Sequence, residues 1–432
     1  MGTRHFTRVV GALVFAALLA SVAQAAPPVF TILYSFHGQE DGRTPNSVLF
    51  GKNGVLYGTT AQGGIAPCPA TALNGCGVLF ELRPPNAAGG AWAETVLYTF
   101  TGQNGDVANP SGGLVMANDG ALYGTSFWGG TGSNGTVFEI KPPAKSSGAW
   151  SETILHSFAA NNSIGSDGAS PVSSVLMANG ALFGATPYGG GLQRGAVFEV
   201  SPDAGGTWSE SVLYSFLGED GDGANPAGAV VTDAKGALYG AVENGGNECG
   251  TVFQLAPPSV AGGSWSETAF HTFAGPAGDG CAPSGTLAMA SDGTLFGTTI
   301  SGGSFGYGTV FSLKPPASPG GTWTETVVYS FTRQNGDGAG PDSGVVIGKN
   351  GVLYGTTDYG GSSLFSGTVF RLTPPAAGGG AWTETILHSF TGENGDGANP
   401  SGGLVIGANG ALYGSTQYGG TGNSGTVFEV TP

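Results

Sequence analysis

Charge is what this chain has least of. Only 10% of its 432 residues are Asp, Glu, Lys or Arg, against about a quarter in an ordinary globular protein. The basic side is thinner still, with 13 Lys and Arg against 29 Asp and Glu and a formal charge of −16. Nucleic-acid binding depends on neutralising phosphates with Lys and Arg, so that role is excluded. An anionic membrane would likewise repel this surface. Histidine (5) and cysteine (4) are scarce, and there is no Cys-x-x-Cys, no His-x-x-x-His and no P-loop. Those absences remove familiar signatures of zinc and phosphate binding. Apolar runs are short as well. The longest, Val9 to Val22, falls below the roughly 20 residues needed to span a bilayer.

Glycine and proline fill the space, at 82 and 26 residues. Glycine costs about 1 kcal/mol per interior helix position relative to alanine, which excludes long helices. It does not recur at every third position, which excludes collagen. With 40% hydrophobic residues the chain is too apolar for disorder. A turn-rich, all-β chain remains.

Residues 1–25 read as a signal peptide: Arg4, His5 and Arg8 precede the apolar run, and Ala23-Gln24-Ala25 supplies the cleavage pattern. The mature protein, residues 26–432, is expected to be secreted or periplasmic, with no membrane span after cleavage and no hydrophobic tail at Thr431-Pro432. In an oxidising compartment four cysteines suggest two disulfides, although three pairings exist. Cys68 and Cys76 share one loop and are expected to pair. Zinc is the rival, but no histidine neighbours any cysteine.

Internal repetition dominates the rest. Asp-Gly-x-x-Pro or a near copy begins at Asp41, Asp106, Asp167, Asp222, Asp279, Asp337 and Asp396. Leu-(Tyr/Phe)-Gly follows at Leu56, Leu122, Leu182, Leu238, Leu295, Leu353 and Leu412, then a Gly-Gly pair, then an aliphatic-Phe pair such as Val137-Phe138. These are seven copies with a mean period of about 59 residues. Trp-x-Glu occurs only six times, at Trp92, Trp150, Trp208, Trp265, Trp323 and Trp382, each opening a strand that ends in Ser/Thr-Phe. The seventh such strand, Thr31 to Phe36, lies at the N-terminus without its Trp, while the last repeat ends at Pro432 with none. The count closes if the first strand completes the last repeat.

Each period holds four short β signals. In the final unit these begin with Gly403 to Ile406, a tight turn at Ala408-Asn409-Gly410, and Ala411 to Thr416. Asn-Gly favours two-residue hairpins because both central residues take positive φ. A Pro-Pro loop separates the third strand from the Trp-x-Glu strand, since Pro-Pro cannot sit in a central strand. The pattern predicts a seven-bladed β-propeller of four-stranded antiparallel blades, in a single domain closed by the N-terminal strand. A parallel β-helix explains neither the period nor the displaced strand.

Gly351 to Thr357 (Gly-x-Leu-Tyr-Gly-Thr-Thr) and Gly367 to Phe370 (Gly-Thr-Val-Phe) resemble the exported bacterial proteins known as choice-of-anchor tandem repeat GloVer-containing proteins. The likeness runs through residues 29–432. It implies an exported array, often tethered by a C-terminal anchor that is not visible here, and it brings no catalytic residues. The double glycine and spaced aromatics are more loosely similar to kelch propellers.

In such a blade the Gly-Gly loop and the blade-to-blade Asp-Gly-x-x-Pro loop share a rim, which would bring Cys249 to Cys281. Trp128, Tyr188, Tyr359 and Tyr418 precede Gly-Gly pairs there. They are candidates for a sugar-stacking platform, although packing between loops is the preferred account. Asp220, Asp222 and Asn225 offer clustered oxygens for calcium. Asp capping its own turn explains all the copies without a metal. His156, His271 and His388 trade places with Tyr in the Trp-x-Glu strands, which marks them as structural. The Glu of Trp-x-Glu is expected to lie far from any partner carboxylate, whereas a glycosidase needs two carboxyls facing each other across the bond.

Two functions follow from this pattern. The first is a non-catalytic, monomeric binding or scaffold module for a protein or polysaccharide, without cofactor, because the polar signatures are repeated rather than concentrated. The second is a carbohydrate hydrolase or lyase using rim carboxylates and aromatics. Two carboxylates in a channel mouth would favour it, and a channel of small apolar residues would count against it.

Overall fold

The computed structural model describes Gly2 and residues 27–432, apart from 65–67, 69–73, 88, 146–147, 160–166, 219–221, 247, 261, 276–277, 319, 377–378 and 401. The expected signal peptide lies outside the described residues. Seven mostly four-stranded antiparallel sheets follow one another along the chain. Blade 1 runs outward from the channel through Arg43–Phe50, Leu56–Gln62, Val78–Arg83 and Ala93–Thr99. Blade 7 contains Val405–Ile406, Leu412–Thr416 and Thr426–Thr431, and its outermost strand is Val29–Ser35. Phe30 pairs with Val430, Ile32 with Phe428 and Ser35 with Thr426. The N-terminal strand therefore closes the ring. Among the described residues no helix is long and apolar enough to cross a membrane.

The repeated motifs are the fastenings of this ring. The Leu-(Tyr/Phe)-Gly glycine has no side chain because the next strand's phenylalanine lies over it. A Cβ on Gly58 would stand 2.5 Å from Phe80 Cζ, and one on Gly124 2.6 Å from Phe138 Cζ. That phenylalanine in turn meets, edge to face, the Phe ending the outer strand of the preceding blade. The Phe36–Phe80, Phe158–Phe198, Phe273–Phe311 and Phe390–Phe428 centroids are 5.1, 5.3, 5.1 and 5.2 Å apart. All of these rings are fully buried, and such pairs contribute about 0.5–1.5 kcal/mol beyond their burial. Toward the other rim, the Trp of Trp-x-Glu crosses to the Tyr or Phe of the preceding blade, as in Tyr57–Trp150 and Tyr123–Trp208 at 6.1 and 6.2 Å.

Two local features differ from the sequence reading. Every outer strand carries a bulge two residues before its Ser/Thr, between Ile154 and His156 for example. The extra residue re-aims the Tyr or His that follows. In the hairpins, Asn53-Gly54 and Asn350-Gly351 both take positive φ as expected, whereas in Ala408-Asn409-Gly410 only Gly410 does. There Asn409 Oδ1 instead accepts a bond from the Ala411 N–H at 3.1 Å.

Phe36→Ala removes the buried ring through which the closing strand grips blade 1. It should lower the unfolding free energy by about 3–5 kcal/mol in urea denaturation. A cost below about 1 kcal/mol would show that this strand does not seal the ring.

Candidate functional site

The Gly-Gly and Asp-Gly-x-x-Pro loops do share a rim. Gly168 pairs with Gly189 and Ala169 with Tyr188, and the same ladder recurs at Gly338–Gly360 and Gly397–Gly419. Both expected disulfides are formed. Cys68–Cys76 lies within the blade 1 loop and packs against Phe100 and Val107, and Cys249–Cys281 ties blade 4 to blade 5.

The repeated aspartates turn inward to hold the blades together, and they do so differently from a self-capped turn. Each accepts a backbone N–H from earlier in its linker, such as Thr332 N to Asp337 Oδ2 at 2.7 Å and Ala274 N to Asp279 Oδ1 at 2.9 Å. Most also bond the re-aimed Tyr or His of the outer strand: Tyr34–Asp41 3.1 Å, Tyr329–Asp337 3.2 Å, His271–Asp279 3.0 Å and His388–Asp396 3.2 Å. The histidines are thus structural, as their exchange with Tyr implied. Of the calcium candidates, Asp222 takes Tyr214 Oη at 2.7 Å and the Leu217 N–H. Asn225 sits at φ 59° and donates to the Pro187 carbonyl of the preceding blade at 2.8 Å. Both are employed in the seam, and Asp220 lies outside the described residues.

The Trp-x-Glu glutamates require a correction. They were expected far from any carboxylate, but each reaches across its seam to a linker aspartate. The pairs are Glu94 with Asp41, Glu152 with Asp106, Glu210 with Asp167, Glu267 with Asp222, Glu325 with Asp279 and Glu384 with Asp337. Residues 43–53 positions apart approach one another because the blades stand side by side. Burial first, and the facing aspartate second, push Glu94, Glu210, Glu267, Glu325 and Glu384 up to about 7 and Glu152 to about 9. One Oε1 of each is sealed from solvent without a hydrogen-bond partner. The seventh seam has no glutamate. Phe30 holds its register position and stacks on His388, with centroids 3.5 Å apart.

The channel encloses about 810 Å³ and is lined chiefly by serine, glycine and aliphatic residues of the inner strands. Small residues are required because the blades nearly touch: a Cβ on Gly285 would meet the Gly344 N at 2.4 Å and Asp342 O at 2.7 Å. Glu243, Asp342 and Gln417 break the pattern. Asp342 follows the repeat proline, where other copies carry Asn46, Ser111, Val172, Ala227, Ser284 and Ser401. It shares a hydrogen bond with Asp358, and burial together with the neighbouring carboxyl raises Asp342. Burial raises Asp358 as well. Carboxyls in mutual contact stand closer than the roughly 5–10 Å that lets a glycosidic bond lie between them.

Of the four expected rim aromatics, Trp128 is half-buried against Phe127 and the blade 1–2 core, so it packs rather than displays. Tyr188, Tyr359 and Tyr418 are open at 49, 45 and 45% exposure. The sequence reading missed a second set, Phe305 and Tyr307 of blade 5 with Leu364 and Phe365 of blade 6. Arg333 clamps it, 5.7 Å from the Tyr307 centroid and 5.5 Å from that of Phe365, while donating to the Leu364 carbonyl at 3.2 Å. Phe305 and Phe365 are 54 and 67% exposed. Their signal was aromatic residues inside Gly-Gly loops that blades 2, 4 and 7 fill chiefly with small or polar ones. Within that set, Gly302 to Gly306 spells Gly-x-Ser-x-Gly. It forms a strand-to-strand turn, and a nucleophile elbow leads from strand to helix.

Fold and rim together define a propeller assembled from one repeat. The chain belongs to the Gloeobacter/Verrucomicrobia repeat family, which it matches over residues 21–161, 67–265, 147–336 and 247–432. No curated protein has a matching sequence. Among solved structures, similarity extends to a Thermus thermophilus protein described as an oxidoreductase (glucose dehydrogenase). It is 15% identical, with 74% of this chain and 96% of that one covered and a TM-score of 0.41. A puromycin-hydrolyzing peptidase of Mycobacterium tuberculosis is 12% identical, with 88% of this chain and 59% of that one covered and a TM-score of 0.40. Likeness of this degree says nothing about activity.

The six seam glutamates set a pH dependence. Their folded values lie above the unfolded value near 4.3, so the folded state holds extra protons. Their contribution is complete below the unfolded value and is lost as pH rises through about 7. The melting temperature should fall from pH 5 to pH 8.5, and Glu152→Gln should recover part of the loss at pH 8.5 while changing little at pH 5. A melting temperature that climbs over this range contradicts the assignment.

Proposed function

We propose that this protein is an exported, non-catalytic binding module that presents its Gly-Gly rim to a polysaccharide. The supporting observation is the aromatic and aliphatic surface spanning blades 5 and 6, with Tyr359 beside it. Exposed apolar patches of this kind mark interaction sites, and aromatic faces suit the apolar faces of sugar rings. A net charge of −16 disfavours anionic polymers and leaves neutral glycans. Two disulfides and the N-terminal sequence pattern support export.

Asp342 and Asp358 favour one other reading. A buried carboxyl pair sharing a proton is a device for acid–base catalysis, and here it sits at the channel on the same blade as the exposed patch. Its contact geometry suits proton sharing better than attack across a glycosidic bond, so binding ranks first.

A glycan array run beside a reducing-sugar assay separates the two. Binding without sugar release is expected, and Tyr359→Ala with Phe365→Ala should weaken it by about tenfold or more. Sugar release that disappears in Asp342→Asn would establish the enzyme and overturn the binding module.

A further inference from the structure

The seam between blades 2 and 3 draws its polar groups together more tightly than the seam between blades 4 and 5, where His271, Asp279 and Glu325 are the same three residue types. In both, the linker aspartate faces a histidine on one side and a glutamate on the other. Ligand atoms of His156, Asp167 and Glu210 all lie within 4.8 Å of one another, the sole such group among the described residues. The three come from separate elements. His156 lies on the outer strand of blade 2 (Ser151–Ser157), Asp167 in the linker, and Glu210 on the outer strand of blade 3 (Trp208–Ser215). His156 Nε2 stands 3.3 Å from Asp167 Oδ1, a normal spacing for two ligands of one ion. Asp167 Oδ2 is held by the Ala159 N–H at 2.9 Å, which fixes the carboxylate. Glu210 Oε1 is closed to solvent and has no hydrogen-bond partner. His156 and Asp167 keep 19% side-chain exposure each, so an ion has a way in.

We propose that His156, Asp167 and Glu210 bind a divalent transition-metal ion, with zinc the best match. One imidazole and two carboxylates give zinc three ligands of the types it takes, and water completes a tetrahedron. Calcium is a poorer match because it wants six to eight oxygens. The other seams show what the site owes to each residue. Tyr34, Tyr98, Tyr214 and Tyr329 hold the His156 position in four seams, and a neutral phenol is no ligand, while His271 and His388 hold it in the other two. At the closing seam Phe30 replaces the glutamate. The sealed, unpartnered glutamate oxygen recurs in every Trp-x-Glu seam, so what sets this seam apart is the approach of all three ligand atoms to within 4.8 Å. His271, Asp279 and Glu325 repeat the three residue types at the seam between blades 4 and 5 without all three coming that close.

Those seams also supply the control. His156→Tyr recreates the Tyr214–Asp222 arrangement, so it should fold while losing the ligand. Chelator-treated protein would be titrated with zinc chloride by calorimetry and by thermal melting. The unaltered protein should take up one zinc per chain and melt higher. His156→Tyr and Glu210→Gln, folded by circular dichroism, should each bind at least about tenfold more weakly and lose the thermal response. No stoichiometric uptake by the unaltered protein, or equal uptake by His156→Tyr, would overturn the site.

Discussion

The pairing of Val29–Ser35 with Thr426–Thr431 is the contact on which the rest of the molecule depends. A sheet edge left open exposes unpaired N–H and C=O groups, and a ring of blades with one loose joint has two such ends. Here the ends of the chain sew each other up. Once they do, no blade is terminal, and Phe390–Phe428 and Phe36–Phe80 complete the circle of buried aromatic contacts. The closing joint also differs chemically from the others, because a flat Phe30–His388 stack replaces a buried carboxyl pair.

Closure explains why so much of the polar sequence is unavailable for function. The aspartates, the Tyr or His residues they bond, the Asn of Asp-Gly-x-Asn-Pro and the Trp-x-Glu glutamates are spent on holding blade to blade. What is left over is unevenly distributed. Blade 6 carries Asp342 at the channel with Asp358 beside it, and Leu364 and Phe365 on the rim. Blade 5 adds Phe305 and Tyr307, and Arg333 bridges the two. A symmetric scaffold with one asymmetric sector is what a binding face on a repeat protein requires.

Blade number, strand order, closure and both disulfides were legible in the sequence, because each follows from residues recurring at one period or from a strand missing at one end and present at the other. The seam carboxyl pairs were not. Glu152 and Asp106 are distant in sequence and meet only through blade packing, a distance that no local pattern encodes. The bulge was hidden for a related reason: an extra residue present in all seven outer strands leaves the repeat spacing unchanged. Asp342 was visible as a departure from small residues after the repeat proline, but its partner Asp358 belongs to a different motif. The substitution of Phe30 for glutamate was also there to be found, by setting Val29–Ser35 beside Ser151–Ser157.

Amide hydrogen exchange on the native protein tests the closed ring most directly. The N–H groups of residues 30–35 should exchange as slowly as those of 426–431, and both should open together in denaturant titrations as part of the global unit. Rapid exchange of 30–35 while 426–431 stays protected would mean that the first strand is only laid against the last blade, and the account of the fold would fail.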